Sequence, residues 1–204
     1  MSEARPVVVI IDDDPDIRDA LQGLLETVGL ETALFATASE FLGSKRPPEG
    51  PCCIVVDVRL PGLSGLDFQQ ELARQNIPIP IIFITGYGDI PMSVQAMKAG
   101  AVEFLTKPLR DQDVLHAIQA ALRRDRARLE DERNVADLRM RHESLTARER
   151  EVMTLLVSGR VNKQIAAEIR ISEVTVRLHR GQIMRKMRAS SLADLIRIAD
   201  RIKF

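Results

Sequence analysis

Between Val7 and Leu122 the chain alternates short β-branched apolar runs with stretches of helical periodicity, and few architectures accommodate that order. The runs at 7–11, 32–35, 52–56, 79–84 and 102–105 predict five strands. The first, third and fourth are continuously apolar, which requires burial on both faces. Between strands, Ile17, Ala20, Leu21, Leu24, Leu25 and Val28 repeat at helical spacing before Gly29, and shorter helical faces occur at 68–72 and 94–98. Strand then helix, five times over, predicts an α/β doubly wound, five-stranded parallel sheet. Its ligand site belongs at the carboxyl ends of the strands.

A different pattern follows. Residues 111 to about 143 are helical in character, with Leu115, Ile118, Leu122 and Leu129 at heptad-like spacing that Asp125 and Glu132 interrupt. Seven basic and six acidic residues fall within 121–143, so a solvated helical linker is favoured over a short coiled-coil dimer seam. Thr146-Ala147-Arg148-Glu149 forms a capping box that opens a helix through Val157, stopped at Gly159. Asn162 is placed to cap a second short helix, Ser172 a third from Glu173 to about Lys186, and Ser191-Leu192-Ala193-Asp194 a fourth. The chain therefore divides into 1–122, a linker at 123–143, and an all-α four-helix domain at 144–204. Its second and third helices are spaced as a helix-turn-helix.

Charge supports the division. The 29 Lys+Arg cancel the 29 Asp+Glu, a balance that taken alone argues against a nucleic-acid binder. Up to residue 120, however, 9 basic residues face 17 acidic ones, whereas residues 144–204 hold 13 basic and 6 acidic, a net +7 suited to phosphates. Six of the seven aromatic residues precede residue 105, so the C-terminal core must be aliphatic. Cys52 and Cys53 are adjacent in an apolar run and read as small buried strand residues, with no disulfide or metal spacing. The apolar stretch at 7–11 is too short for a signal peptide or a membrane span, and a reducing cytoplasm is expected.

Asp12, Asp13 and Asp14 follow the first strand and Asp57 ends the third, so a doubly wound sheet crowds these carboxylates into one crevice. Like charges there demand a cation, and oxygen donors select a hard one, Mg²⁺. Thr85 and Lys107, at the ends of the fourth and fifth strands, bring a hydroxyl and an ammonium to the same edge. Aspartate, metal, hydroxyl and lysine are the constellation of phosphoryl transfer. A lone Asp after a strand is also a common helix cap, a role open to Asp14 or Asp16. Gly86-Tyr87-Gly88 lacks the third glycine of a dinucleotide fingerprint and reads as a mobile loop.

The segments Ile11-Asp12-Asp13-Asp14-Pro15, Val56-Asp57-Val58-Arg59-Leu60-Pro61-Gly62, Ile84-Thr85-Gly86 and Leu105-Thr106-Lys107-Pro108 resemble the receiver domain of two-component response regulators. The resemblance implies that Asp57 is the phosphoacceptor. It further implies that Asp12, Asp13, Asp57 and the Arg59 backbone carbonyl hold Mg²⁺, that Thr85 and Lys107 bind phosphoryl oxygens, and that Lys107-Pro108 is cis. Phe104 has two readings, a core aromatic or the family's rotameric switch coupled to Thr85.

The C-terminal segments Leu145-Thr146-Ala147-Arg148-Glu149-Arg150-Glu151-Val152, Asn162-Lys163-Gln164-Ile165-Ala166 and Ile171-Ser172-Glu173-Val174-Thr175-Val176-Arg177-Leu178-His179 resemble the DNA-binding domain of the LuxR/NarL type. With Gly86-Tyr87-Gly88-Asp89-Ile90-Pro91-Met92, the whole chain resembles the FixJ branch. Along the third helix Val174, Val176, Ile183 and Met187 are expected apolar anchors. Arg177, Leu178 and Gly181 match positions that approach bases, Arg180 resembles the FixJ branch, and Lys163 and Thr175 suit phosphates. Gly181 departs from the long side chains common at its position. For His179, packing or capping is favoured over pH sensing.

The expected function is a transcription factor, an activator by resemblance, switched by a sensor histidine kinase through Asp57. Its expected partners are double-stranded promoter DNA, RNA polymerase, and a second copy docked through the fourth helix and fifth strand, with no membrane. Such a chain catalyses its own phosphorylation and dephosphorylation without being a metabolic enzyme. Two alternatives exist. A haloacid-dehalogenase-type phosphohydrolase would also carry an Asp-x-Asp pair, but Pro15, the lack of a late acidic metal motif and the lack of a substrate cap weigh against it. A phosphorylation-independent DNA-binding regulator would not need the complete acidic set.

Overall fold

The computed structural model describes residues 5–44, 50–86 and 90–203. The chain divides into two compact units, Met1–Leu129 and Glu130–Phe204, and the division falls within one long helix. In the first unit the order is β1 (Val7–Ile11), α1 (Pro15–Thr27), β2 (Glu31–Phe35), α2 (Ala38–Gly43), β3 (Cys52–Asp57), α3 (Gly65–Arg74), β4 (Ile81–Thr85), α4 (Ile90–Lys98), β5 (Glu103–Thr106) and α5 (Asp111–Glu143). All pairings are parallel in the order β2-β1-β3-β4-β5, as the alternation requires.

Side-chain alternation divides each central strand between two cores. Val9, Ile11, Ile54, Val56 and Phe83 pack with Phe41, Phe68 and Leu72, whereas Val8, Ile10, Val55, Ile82 and Ile84 pack with Leu21, Leu25, Val114 and Ile118. The apolar runs are buried on both faces for that reason. The edge strands β2 and β5 are only partly covered. Burial pushes the Cys52 thiol up to about 12 and the Cys53 thiol further, so both are inert strand residues.

Local chemistry sets the element ends. Asp14, not Asp16, is the N-cap of α1: its side chain accepts from the Asp16 amide at 2.9 Å, and Pro15 opens the helix where no amide is needed. α2 escapes a periodicity reading because six residues scarcely complete two turns, yet Thr37 caps it through the Glu40 amide. Asp125 does more than interrupt a heptad. It is fully buried, accepts from the Cys52 amide at 2.8 Å, and pairs with Arg128 at 2.8 Å.

The second unit continues with α6 (Ala147–Val157), α7 (Asn162–Glu168), α8 (Glu173–Met187) and α9 (Leu192–Ile202). Its core is aliphatic as expected, with Val152, Met153, Leu156, Ile165, Val176, Ile183, Met187 and Leu195 buried together. Thr146 and Glu149 form the capping box reciprocally. Asn162 is not a cap. α7 begins on it, and the Gln164 side chain instead accepts from the Val161 amide at 3.0 Å. Ser172 caps α8, and Ser191 caps α9 while Asp194 reaches back to the Ser190 amide and hydroxyl. Arg170, between α7 and α8, takes the left-handed conformation that turns the chain.

Glu149 has a second role. It is buried, and its carboxylate accepts from Lys186 at 2.6 Å as well as from the Thr146 amide, tying α6 to α8. Burial opposes its charge, but these hydrogen bonds outweigh that and hold its pKa below the ordinary 4.5.

Candidate functional site

At the carboxyl edge of the sheet, Asp12 follows β1, Asp57 ends β3, Thr85 ends β4 and Lys107 follows β5. β1 and β3 are neighbours whose connections leave in opposite directions, so the crevice opens between them. Carboxylate oxygens of Asp12, Asp13 and Asp57 lie within 4.8 Å of one another. Asp12 and Asp57 are buried, and Asp13 is exposed at the rim.

Lys107 spans the cluster, donating to Asp12 at 2.8 Å and to Asp57 at 2.6 Å. Its backbone amide donates to the Thr85 carbonyl at 2.8 Å, which fixes it to β4, and the Lys107-Pro108 bond is cis as expected. Burial pushes the Asp12 carboxyl above its ordinary range, and the neighbouring Asp57 charge adds to this against the hydrogen bonds from Lys107 and the Asp14 amide. Burial also pulls on Lys107, but its two carboxylate partners outweigh that and hold the ammonium above its ordinary range. The two shifts differ in origin: burial dominates at Asp12, and the paired Asp12 and Asp57 carboxylates dominate together at Lys107. The remaining negative charge and the hard oxygen donors fit a divalent cation such as Mg²⁺, which receiver domains bind at such a pocket.

The Asp57 Oδ1 also accepts from the Arg59 amide at 2.8 Å, leaving the Arg59 carbonyl in the turn beyond β3. Thr85 is fully buried. Phe104 is half-buried, with its ring 6.2 Å from that of Phe83, so its core role is met in part. Of the loop read over Gly86-Tyr87-Gly88, Tyr87 and Gly88 lie outside the described residues. A cavity of about 720 Å³ beside Ile81, Arg124 and Asp125 includes none of the cluster carboxylates.

Two contributors escaped the sequence. Arg18 donates to the Asp12 carbonyl at 2.6 Å, and the signal available was its place in the first turn after the Asp14 cap. Gly65 starts α3 directly over Asp57, where an added Cβ would lie 2.5 Å from the Asp57 carbonyl oxygen. A glycine just inside a helix capped by Ser64 has no propensity reason to be there, and that was its signal. Gly65→Ala is expected to destabilise the unit by about 1–3 kcal/mol. A urea melt checks it, and an unchanged midpoint would mean the loop yields freely.

In the second unit the candidate contacts separate by burial. Lys163, Arg177, Leu178 and Gly181 are exposed, whereas Thr175 and Arg180 are half-buried. The Thr175 hydroxyl shares a hydrogen bond with that of Ser172 at 2.8 Å, within the α8 cap. His179 is half-buried and its Nδ1 has no hydrogen-bond partner, which fits packing rather than capping. Val176, Ile183 and Met187 anchor α8, but Val174 does not: it is 59% exposed. No helix among the described residues is long and apolar enough to cross a membrane.

Residues 8–119 match the response regulator receiver domain family, and residues 143–199 match the bacterial regulatory proteins of the luxR family. The chain is 54% identical to nodulation protein W of Bradyrhizobium diazoefficiens over 98% of its own length and 87% of that protein's. It is 45% identical to the response regulator protein TodT of Pseudomonas putida, over 100% and 89%, and 41% identical to the transcriptional regulatory protein FixJ of B. diazoefficiens, over 95% and 94%. Among solved structures it resembles the response regulator StyR, with a TM-score of 0.83 at 44% identity over 97% of this chain and 100% of that one. Full-length FixJ from B. japonicum gives 0.58 at 41% identity over 97% of each. With both parts matched and relatives aligned over nearly the whole chain, the protein belongs to the FixJ/NarL-type response regulators, DNA-binding transcriptional regulators of two-component signalling.

Proposed function

We propose that Asp57 accepts a phosphoryl group from the phosphohistidine of a sensor histidine kinase. A phosphorus–nitrogen bond breaks as an Asp57 oxygen bonds to phosphorus. The carrying observation is the Lys107 ammonium held between Asp12 and Asp57, at the edge where Thr85 ends β4. In this reading Lys107 and the Thr85 hydroxyl take the phosphoryl oxygens, and Asp12, Asp13, Asp57 and the Arg59 carbonyl hold Mg²⁺. The ion supplies neutralisation of charge on the transferring group. The chain promotes only this transfer and the later hydrolysis of the aspartyl phosphate, in which water takes the phosphoryl group as inorganic phosphate and the Asp57 carboxylate is regenerated, and is no metabolic enzyme.

Thr85 drawn toward the phosphoryl group leaves space for Phe104 to turn inward, and the α4–β5 face then pairs with a second copy. Ile90, Val94 and Met97 support that surface, because they are exposed and spaced four and three residues apart on α4. Residues 1–122 take the signal, 123–143 act as a helical linker, and 144–204 bind promoter DNA, as an activator contacting RNA polymerase in the cytoplasm. Arg177, Leu178, Arg180 and Gly181 approach bases, and Lys163 and Thr175 approach phosphates.

Radiolabelled acetyl phosphate with Mg²⁺ tests the first step. Borohydride reduction converts an aspartyl phosphate to homoserine, which is expected at position 57 alone; homoserine at position 12 or 13 would reject the assignment. For DNA, Arg177→Ala is expected to weaken binding by about 1–3 kcal/mol and change sequence preference. Lys163→Ala is expected to weaken all duplexes alike and flatten the salt dependence by about one unit. Equal loss on specific and random DNA would move Arg177 to the phosphate contacts.

A further inference from the structure

Helix α8, the DNA-reading helix of the proposed function, carries apolar side chains on both sides. Val176, Ile183 and Met187 are buried toward the core, while Val174 and Leu178 are 59% and 64% exposed. Positions 174, 178, 181 and 185 follow one another at intervals of four, three and four, so they form one stripe down the opposite face. The stripe reads Val, Leu, Gly, Arg, with Arg177 alongside. Two aliphatic side chains at the centre of a face directed at a polyanion gain nothing from phosphates. Their burial is favourable only against an apolar surface.

In the major groove of B-DNA the apolar feature is the C5 methyl of thymine. Gly181 completes the fit. A Cβ there would meet nothing within 4 Å, so the unit's own packing does not demand a glycine, and its lack of a side chain lets the groove come close beside Leu178. The net +7 of residues 144–204, with Arg177 and Arg185 on or beside the stripe, favours a nucleic acid over an apolar protein partner.

We infer that Val174 and Leu178 are specificity-determining residues that read thymine methyl groups, so that each half-site carries thymines beneath these two side chains. The inference rests on α8 being the DNA-reading helix. Arg177 supplies hydrogen-bonded readout beside them, and Gly181 supplies proximity without readout.

Duplexes are selected from a randomised DNA library with full-length protein treated with acetyl phosphate. The selected duplex is then resynthesised with deoxyuridine in place of thymidine, one position at a time. Uracil keeps the base pair and its O4 acceptor and lacks only the methyl. One or more positions in each half-site are expected to lose about threefold to tenfold in affinity. Leu178→Ala and Val174→Ala are each expected to erase the loss at one such position while keeping the wild-type thermal midpoint, since both side chains are exposed. Unchanged affinity at every deoxyuridine position overturns the inference, as does a methyl dependence that persists in both variants, or a change in self-association without a change in base preference. Failure to select any sequence would overturn the DNA-reading role of α8 as well, whereas selection without methyl dependence removes this inference alone.

Discussion

Asp57→Asn is expected to reduce incorporation of label from acetyl phosphate or a phosphorylated kinase to background, with Mg²⁺ present throughout. The amide keeps the shape of the side chain and loses the anionic oxygen that attacks phosphorus. Folding is expected to survive. Lys107 retains its 2.8 Å bond to Asp12, and removing the Asp57 charge relieves one of the repulsions acting on Asp12. Loss of label on hydroxylamine treatment identifies an acyl phosphate, and the thermal midpoint reports folding separately. Any increase in promoter affinity caused by acetyl phosphate should vanish in the same variant. A persistent aspartyl phosphate would place the acceptor elsewhere in the cluster.

Lys186→Met is expected to have the largest effect on stability. The substitution leaves the Glu149 carboxylate buried without its ion-pair partner, while the bond from the Thr146 amide at 2.8 Å remains. Fully buried pairs broken on one side cost about 3–5 kcal/mol. Lys186 is 35% exposed, so water screens part of this and about 2–3 kcal/mol is expected. A small domain has only about 5–15 kcal/mol in total, so the thermal midpoint of the second unit should fall by roughly 8–24 °C. Glu149 has a folded pKa below its unfolded value near 4.5. Its contribution is therefore present above that value and is lost as pH falls through the lower folded value. Urea melts of wild type and variant should differ most above pH 5 and converge in acid. A constant difference down to pH 2 would mean that Lys186 acts by packing alone.

The sheet was legible because β1, β3 and β4 are buried on both faces and show it as unbroken apolar runs. The carboxylate cluster was legible because every parallel strand ends at one edge, so residues just past a strand share a crevice. Shorter signals failed. α2 has too few residues for periodicity, and Asn162 looked like a cap because an amide before an apolar pair usually is one; Gln164 took that task from inside the helix. Val174 was misplaced for a more informative reason. Helical periodicity identifies the buried face by contrast with a polar one, and α8 has aliphatic residues on both.

The sequence by itself determined the fold of the first unit, the family, and the residue types at the strand ends, since these follow from local periodicity and the common polarity of parallel strands. Only the tertiary structure decided which atoms meet. Lys107 lies 95 residues from Asp12 and 50 from Asp57, and Asp125 lies 73 from Cys52. These contacts depend on strand register and helix rotation, which are set by how whole elements pack. The same holds for α8: its sequence offered two apolar stripes, and packing against α6 and α7 chose which would be core and which would face outward.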